Sequence, residues 1–242
     1  MAQLFQEEKN CAENNTRANL VFFAYPFTPP IPQEDYKAVL KELQDELALR
    51  LWYFLDEVTT QELMRKIWRA ILQADLCIFD ISGGNPNVAL ELGLAAAIGK
   101  SCITLLKNGA ANPLGSADLG YSERVEYTSR ENLKDKLKGL LTSKSSALRK
   151  LRDLGYAIQQ DAFNLTREQD ELKLAKLVKH VFSHKRITKP DARKICGNDK
   201  TATSSLSALR EAGIMRVDGA KKGAKWVFTD QWVHHDHAVT EG

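Results

Sequence analysis

The sequence predicts an α/β protein, a doubly wound parallel sheet followed by a second, smaller domain. Two observations carry this expectation. Through residue 141, short runs rich in β-branched and aromatic residues alternate strictly with segments of helical period, the pattern of strands joined by crossover helices. From about residue 171 the pattern changes to three helices and a glycine-rich hairpin.

Taken in order, Leu20-Val21-Phe22-Phe23-Ala24-Tyr25 reads as a first strand, ended by Pro26 and a proline-bearing loop through Pro32. Residues 34–50 carry Tyr36, Val39, Leu40, Leu43 and Leu47 at helical spacing, and 51–55 reads as a second strand. Thr59-Thr60-Gln61-Glu62 offers a capping box for a helix through residue 73, with Leu63, Ile67 and Ile71 on its inner face. Leu76-Cys77-Ile78-Phe79-Asp80-Ile81 is continuously apolar up to its aspartate, as expected of a strand covered on both faces. A helix then runs to Gly99, Cys102-Ile103-Thr104-Leu105-Leu106 is a fourth strand, and a weaker strand at 125–127 and a helix at 132–141 complete the first domain. The expected division is a tail at 1–18, the α/β domain at 19–141, a helical linker at 142–170, the small domain at 171–233 and a tail at 234–242.

With 242 residues, 43% hydrophobic and 27% charged, the chain has the composition of a soluble globular protein. No apolar run approaches the roughly 18 residues of a membrane span, and the start lacks a basic flank with an apolar core, so a cytoplasmic protein without a membrane partner is expected. Cys11, Cys77, Cys102 and Cys196 are widely spaced, which suits free thiols better than a disulfide framework or a zinc site. Nothing implies a cofactor or a metal. The net charge of +3 conceals an asymmetry: residues 1–141 carry 15 Lys and Arg against 19 Asp and Glu, and residues 142–242 carry 19 against 12. The basic half is where a polyanion fits, and the opposed halves suit self-association into a homo-oligomer.

Glu91 is the only charged residue between Asp80 and Lys100, inside a helix apolar on nearly every other side. A helix of that kind is expected to be buried, and a carboxylate there must be paired or put to use. Ligands of doubly wound sheets bind outside the carboxyl ends of the strands, which selects Tyr25, Asp56, Asp80 and the loop Ser82-Gly83-Gly84-Asn85. Asn85 can cap the Glu91 helix with Pro86 at its first position, and free amides at that helix start suit a phosphate. Asn87 and Glu91, four apart, share a face, so the carboxylate either bonds a neighbour such as Asn87 or faces the crevice. In the second case it suits attack on, or stabilisation of, a glycosidic carbon.

The run Asp75 to Lys100, with Asp80-Ile81-Ser82, Asn85-Pro86-Asn87-Val88, Glu91-Leu92-Gly93 and Gly99-Lys100, together with the opening strand Phe22-Phe23-Ala24-Tyr25-Pro26-Phe27, resembles nucleoside 2-deoxyribosyltransferase-like proteins and the allied TIR-like group over about residues 20–141. The resemblance implies that Glu91 is the nucleophile that attacks C1′ and that Asp75 helps build the nucleoside site. Where the family has an aspartate six residues before its nucleophile this chain has Asn85, whose amide neither gives nor takes a proton in acid-base work. Two functions follow. One is N-glycosidic bond cleavage of a nucleotide, nucleoside or NAD-like substrate, with Glu91 catalytic and Tyr25, Asp56, Asp75, Asp80, Asn85 and Asn87 binding substrate. The other is a nucleotide-binding sensor without chemistry.

In the small domain, Thr188-Lys189-Pro190-Asp191 is a second capping box opening a helix closed at Gly197, a helix at about 201–212 ends at Gly213, and two strands flank a basic tip at 218–224. Helices followed by a basic hairpin read as a winged helix-turn-helix. Thr201, Thr203 and Ser204 near a helix start, with Lys221, Lys222 and Lys225 on the wing, are the residues expected to touch nucleic acid through its phosphates, the alternative being a protein-docking or oligomerisation module. The two-domain plan is similar to antiphage effectors found beside retron reverse transcriptases, which implies a reverse transcriptase–DNA complex as a partner.

Overall fold

The computed structural model describes residues 16–26, 30–53, 60–111, 122–161, 167–220 and 223–233, and divides at Ser145 and Ser146 into two compact units. The first unit is a five-stranded, all-parallel sheet in the order β2-β1-β3-β4-β5. Its elements are β1 (Arg17–Ala24), α1 (Gln33–Leu47), β2 (Arg50–Trp52), α2 (Thr60–Gln73), β3 (Ala74–Asp80), α3 (Pro86–Ala97), β4 (Cys102–Lys107), β5 (Ser122–Tyr127) and α4 (Arg130–Lys144). Each lies close to where the hydrophobic periodicity expects it. The capping box expected at Thr59 begins outside the described residues.

Helix α1 packs against α4, and α2 against α3, so each pair covers one face of the sheet. The strands between them are apolar on both faces, as that burial requires: Leu20, Val21, Phe22 and Phe23 of β1 and Leu76, Cys77, Ile78 and Phe79 of β3 are each at most 1% exposed. Lys100 ties the end of α2 to the start of β3, its Nζ donating to the Leu72 carbonyl at 2.6 Å and the Ala74 carbonyl at 2.9 Å. Cys77 and Cys102 are free and buried, and burial raises both thiols, that of Cys102 to about 11, so these two serve as apolar filling rather than nucleophiles; Cys196 is buried in the second unit.

At the end of β3 stands Asp80, fully buried. Its Oδ2 accepts hydrogen bonds from the Tyr36 hydroxyl of α1 at 2.5 Å and the Tyr127 hydroxyl of β5 at 2.7 Å, and its Oδ1 accepts the Ser82 N–H at 3.0 Å. Burial, and then the Asp80 charge, push both phenols well above the usual tyrosine range, so they remain donors at any physiological pH. Ser82 Oγ in turn accepts the Lys107 N–H at 2.8 Å, which fastens the β3 turn to the end of β4.

The second unit contains α5 (Ser146–Asp161), α6 (Arg167–His184), β6 (Ile187–Thr188), α7 (Lys189–Cys196), α8 (Asp199–Glu211), β7 (Met215–Asp218) and β8 (Lys225–Phe228). The stretch read as a helical linker carries α5, which packs on α6. The strands form an antiparallel sheet in the order β6-β8-β7, and β6 has no counterpart in the sequence reading because two residues are too few to show a period. The Thr188 capping box forms in both directions with Asp191, and Gly197 closes α7 at φ 90°. Leu177, Val181, Ile187, Leu206 and Leu209 build the core, with Trp232 4% exposed beside Phe228. Among the described residues no helix is long and apolar enough to cross a membrane.

Tyr127→Phe removes one of three donors to Asp80 and should cost about 1 kcal/mol. Asp80→Ala leaves two buried phenols with only each other at 2.5 Å, and the Ser82 amide without its acceptor, and should cost about 3 kcal/mol or more. Urea unfolding of the first unit measures both.

Candidate functional site

A pocket of about 150 Å³ opens at the carboxyl ends of β1 and β2, beside the start of α3. The sheet order puts the topological switch between β1 and β3, because the chain leaves β1 through α1 toward β2 and returns through α2 to β3 on the other side. Sequence builds the pocket in three parts. Phe22, Phe23 and Ala24 of β1 and Trp52 of β2 supply an apolar floor, with Phe22 stacked on Trp52 at 5.3 Å between ring centroids. Met64 and Ile67 of α2, with Val88 and Leu90 of α3, supply apolar walls. The polar groups are Tyr25, Gln33, Asn85, Asn87 and Glu91.

Helix α3 is positioned by the turn before it. Gly83 and Gly84 adopt φ of 77° and 75°, a left-handed pair that residues with a Cβ rarely hold, and this lets the chain reverse immediately after β3. Asn85 then caps the helix, its Oδ1 accepting the Asn87 N–H at 2.9 Å and the Val88 N–H at 3.3 Å, with Pro86 following. Val88, Leu92 and Ala95 face inward. The expectation that the whole helix is buried needs correction: Ala89, Gly93 and Ala97 are exposed, and Leu90 is 53% exposed. Small residues make most of that outer face, so its exposure adds little apolar surface per residue, and mean hydropathy alone did not distinguish it from a buried one.

Glu91 is half-buried on the pocket face. Among the described residues its carboxylate meets neither a hydrogen-bond donor nor a cation, and Asn87, one turn earlier, lines the same pocket without bonding it. Burial raises the carboxyl from an ordinary 4.5 to about 7, with no compensating charge. The carboxyl therefore passes between proton-holding and ionised forms near neutral pH, which is the range in which a group can act as base, acid or nucleophile.

Tyr25 stands at the end of β1, its ring stacked on Tyr36 at 4.8 Å and 4°. Among the described residues its buried hydroxyl has no partner in hydrogen-bonding geometry, although Gln33 lies near enough to offset part of the rise that burial imposes on the phenol. Tyr25, Asn85, Asn87 and Glu91 are thus brought together.

Asp80 and Asp75 are not. Asp80 sits at the expected sheet edge but turns inward to Tyr36, Tyr127 and the Ser82 amide, with both oxygens engaged. Asp75 is the second residue of β3, so about 16 Å of strand separates it from the carboxyl end where the pocket lies. Asp56 falls outside the described residues. The sequence reading did not single out Trp52, Gln33 or the apolar walls. Trp52 was missed because the expected second strand, 51–55, places its carboxyl end beyond Trp52, where the strand ends in the structure, whereas Gln33, one amide after a proline loop, carries no signal.

In the second unit, Thr201 gives its N–H to the Asn198 cap at 2.8 Å, Thr203 turns its hydroxyl back to the Asp199 carbonyl at 2.8 Å, and Ser204 is exposed. Lys225 opens β8 half-buried, while Lys221 and Lys222 fall outside the described residues. Exposed Lys189, Arg193 and Lys194 of α7 stand near the α8 start, with Arg193 3.7 Å from Asp199. Among the described residues no cluster of three or more His, Cys, Asp or Glu is arranged for a metal.

No protein-family profile and no curated protein matches the chain. Among solved structures it is similar to a CMP N-glycosidase of Clostridium botulinum, BcmB, with 20% identity and a TM-score of 0.37 over 50% of this chain and 99% of that one. The chemistry open to the pocket follows from its own residues.

A carboxyl raised by burial favours the fold while protonated and penalises it once ionised. Its contribution is fully present below pH 4.5 and is lost as pH rises to about 7. Glu91→Gln, uncharged throughout, should be more stable than wild type at pH 8 by about 1 kcal/mol or more, and the gap should close at pH 4.5. Thermal melts of both proteins at the two pH values measure it.

Proposed function

We propose that the first unit cleaves the N-glycosidic bond of a nucleoside, nucleotide or NAD-like substrate, with Glu91 as the reacting carboxylate. The observation that carries the proposal is a carboxyl without a partner among the described residues, in a largely apolar pocket at the strand ends, raised to about 7 by burial. Its motif resemblance to deoxyribosyltransferase-like proteins supplies the bond. Ionised Glu91 bonds to C1′ as the electron pair of the glycosidic bond leaves with the base; a nucleoside's departing base takes a proton from solvent, whereas nicotinamide leaves neutral. Water then attacks C1′ of the glycosyl ester and gives its proton to solvent, releasing the sugar and restoring the carboxylate. The aromatic floor of Phe22 and Trp52 offers the base a stacking surface, and Tyr25, Gln33 and Asn87 offer neutral hydrogen-bonding groups.

A second reading draws support from Asn85. Its amide oxygen is spent on two backbone N–H groups and it has no proton to give, so a site that binds a nucleoside without turning it over fits this residue. On either reading the second unit acts as a winged helix that docks nucleic acid or a protein partner, supported by the order of its helices and hairpin and by its exposed lysines and arginines. A defence role of the retron-effector kind belongs to the same proposal.

Purified protein incubated with nucleosides, nucleotides and NAD should release free base or nicotinamide, and Glu91→Gln should lower the rate at least about a hundredfold while melting cooperatively. Equal rates in the two proteins would remove Glu91 from the chemistry. Binding without release would favour the sensor.

A further inference from the structure

We propose that two copies of this chain pair through the outer edge of β5, strand against antiparallel strand, about a two-fold axis at Val125. This edge lies across the sheet from the Glu91 pocket, which β1 and β2 floor.

An open sheet ends in two strands, each with a row of unpaired amides and carbonyls. At one edge β2 has 3 residues, whereas β5 at the other has 6 and exposes Glu123, Arg124 and Glu126. The inner side of β5 is taken by β4, with Arg124 beside Thr104, Val125 beside Leu105 and Glu126 beside Leu106. The Glu123 carbonyl accepts from Thr104 Oγ at 3.4 Å and the Tyr127 carbonyl accepts the Asn108 N–H at 2.9 Å, so both point toward β4. Backbone groups of a strand alternate sides from one residue to the next, and those of Arg124 and Glu126 therefore point outward. Past Glu126 the edge closes, because the Thr128 N–H is committed to Asn132 Oδ1 at 3.1 Å.

A second β5 related by a two-fold axis runs antiparallel and must meet outward groups with outward groups. Three registers centred on residues 124–126 do this. One sets Arg124 opposite Arg124, another sets Glu126 opposite Glu126, and in the third Arg124 of each copy faces Glu126 of the other. Like charges directly opposite are destabilising and unlike charges stabilising, so only the third is favoured. There Arg124 and Glu126 exchange both of their backbone hydrogen bonds, and Val125 meets its own counterpart on the axis, in the kind of pair whose side chains stand closest.

The two faces of β5 leave those charges free for the partner. Glu123, Val125 and Tyr127 share the face that α4 covers, where Glu123 pairs with Lys144 at 2.7 Å and the Tyr127 hydroxyl reaches Asp80. Arg124 and Glu126 lie on the opposite face, and among the described residues neither makes an ion pair. Charges along an edge discourage pairing with arbitrary strands. The alternation of sign here admits one partner in one register.

Sedimentation of the full chain over about 1–500 μM should show a monomer–dimer equilibrium. Arg124→Glu and Glu126→Arg should each weaken the dimer at least about tenfold, while each exposed substitution leaves the melting temperature unchanged. Mixing the two variants, or making both exchanges in one chain, should restore it. Val125→Cys should cross-link under mild oxidation beyond any cross-linking of wild type, because residues opposed across such a pair stand about 4.5 Å apart at Cα, within reach of a disulfide. A monomer at every concentration overturns the proposal. So does a dimer that neither charge variant weakens or that leaves Val125→Cys uncrosslinked, since it then forms through another surface.

Discussion

The first unit depends on one buried carboxylate. Asp80 collects two phenols and an amide, and through them it joins α1, β5, the end of β3 and the turn that starts α3. A charge at a fully buried position is costly, and here three hydrogen bonds offset that cost. Tyr36 extends the same network to the pocket, because its ring lies flat against Tyr25. The wall carrying Tyr25 and the helix carrying Glu91 are therefore both referred to Asp80.

The two carboxyl groups divide the work by environment. Asp80 is saturated with donors and serves as a fixed point, whereas Glu91 among the described residues has burial without donors, and its carboxyl is raised to about 7. Their side chains lie eleven residues apart in sequence, on a strand end and on the helix that follows it, and the turn of Gly83, Gly84 and Asn85 is what separates their surroundings. Capping by Asn85 rather than by an acid also keeps a second negative charge away from Glu91.

Much of this was legible in the residues. Short, continuously apolar runs alternating with segments of period 3.6 mark the elements of the parallel sheet, and the Thr188 box and Gly197 mark the ends of α7 as they form in the structure. Glu91 and its companions Asn85, Asn87 and Tyr25 follow from the strand-end rule together with the isolation of one charge. Asp80 shows the limit of that rule: its position at the edge was readable, but the phenols that engage it come from 44 and 47 residues away, a distance no local pattern spans. Asp75 shows a different limit, since a resemblance suggested it although its place at the opening of a strand sets it at the opposite edge. The exposed outer face of α3 escaped for a third reason, because alanine and glycine score as apolar whether or not anything covers them.

The central claim is that Glu91 is a carboxyl perturbed by burial alone. Titrating its side-chain carbon by NMR, assigned by difference from Glu91→Gln, tests this directly. The account predicts a midpoint near 7; a midpoint near 4.5 would show an ordinary, solvated or paired glutamate and contradict it.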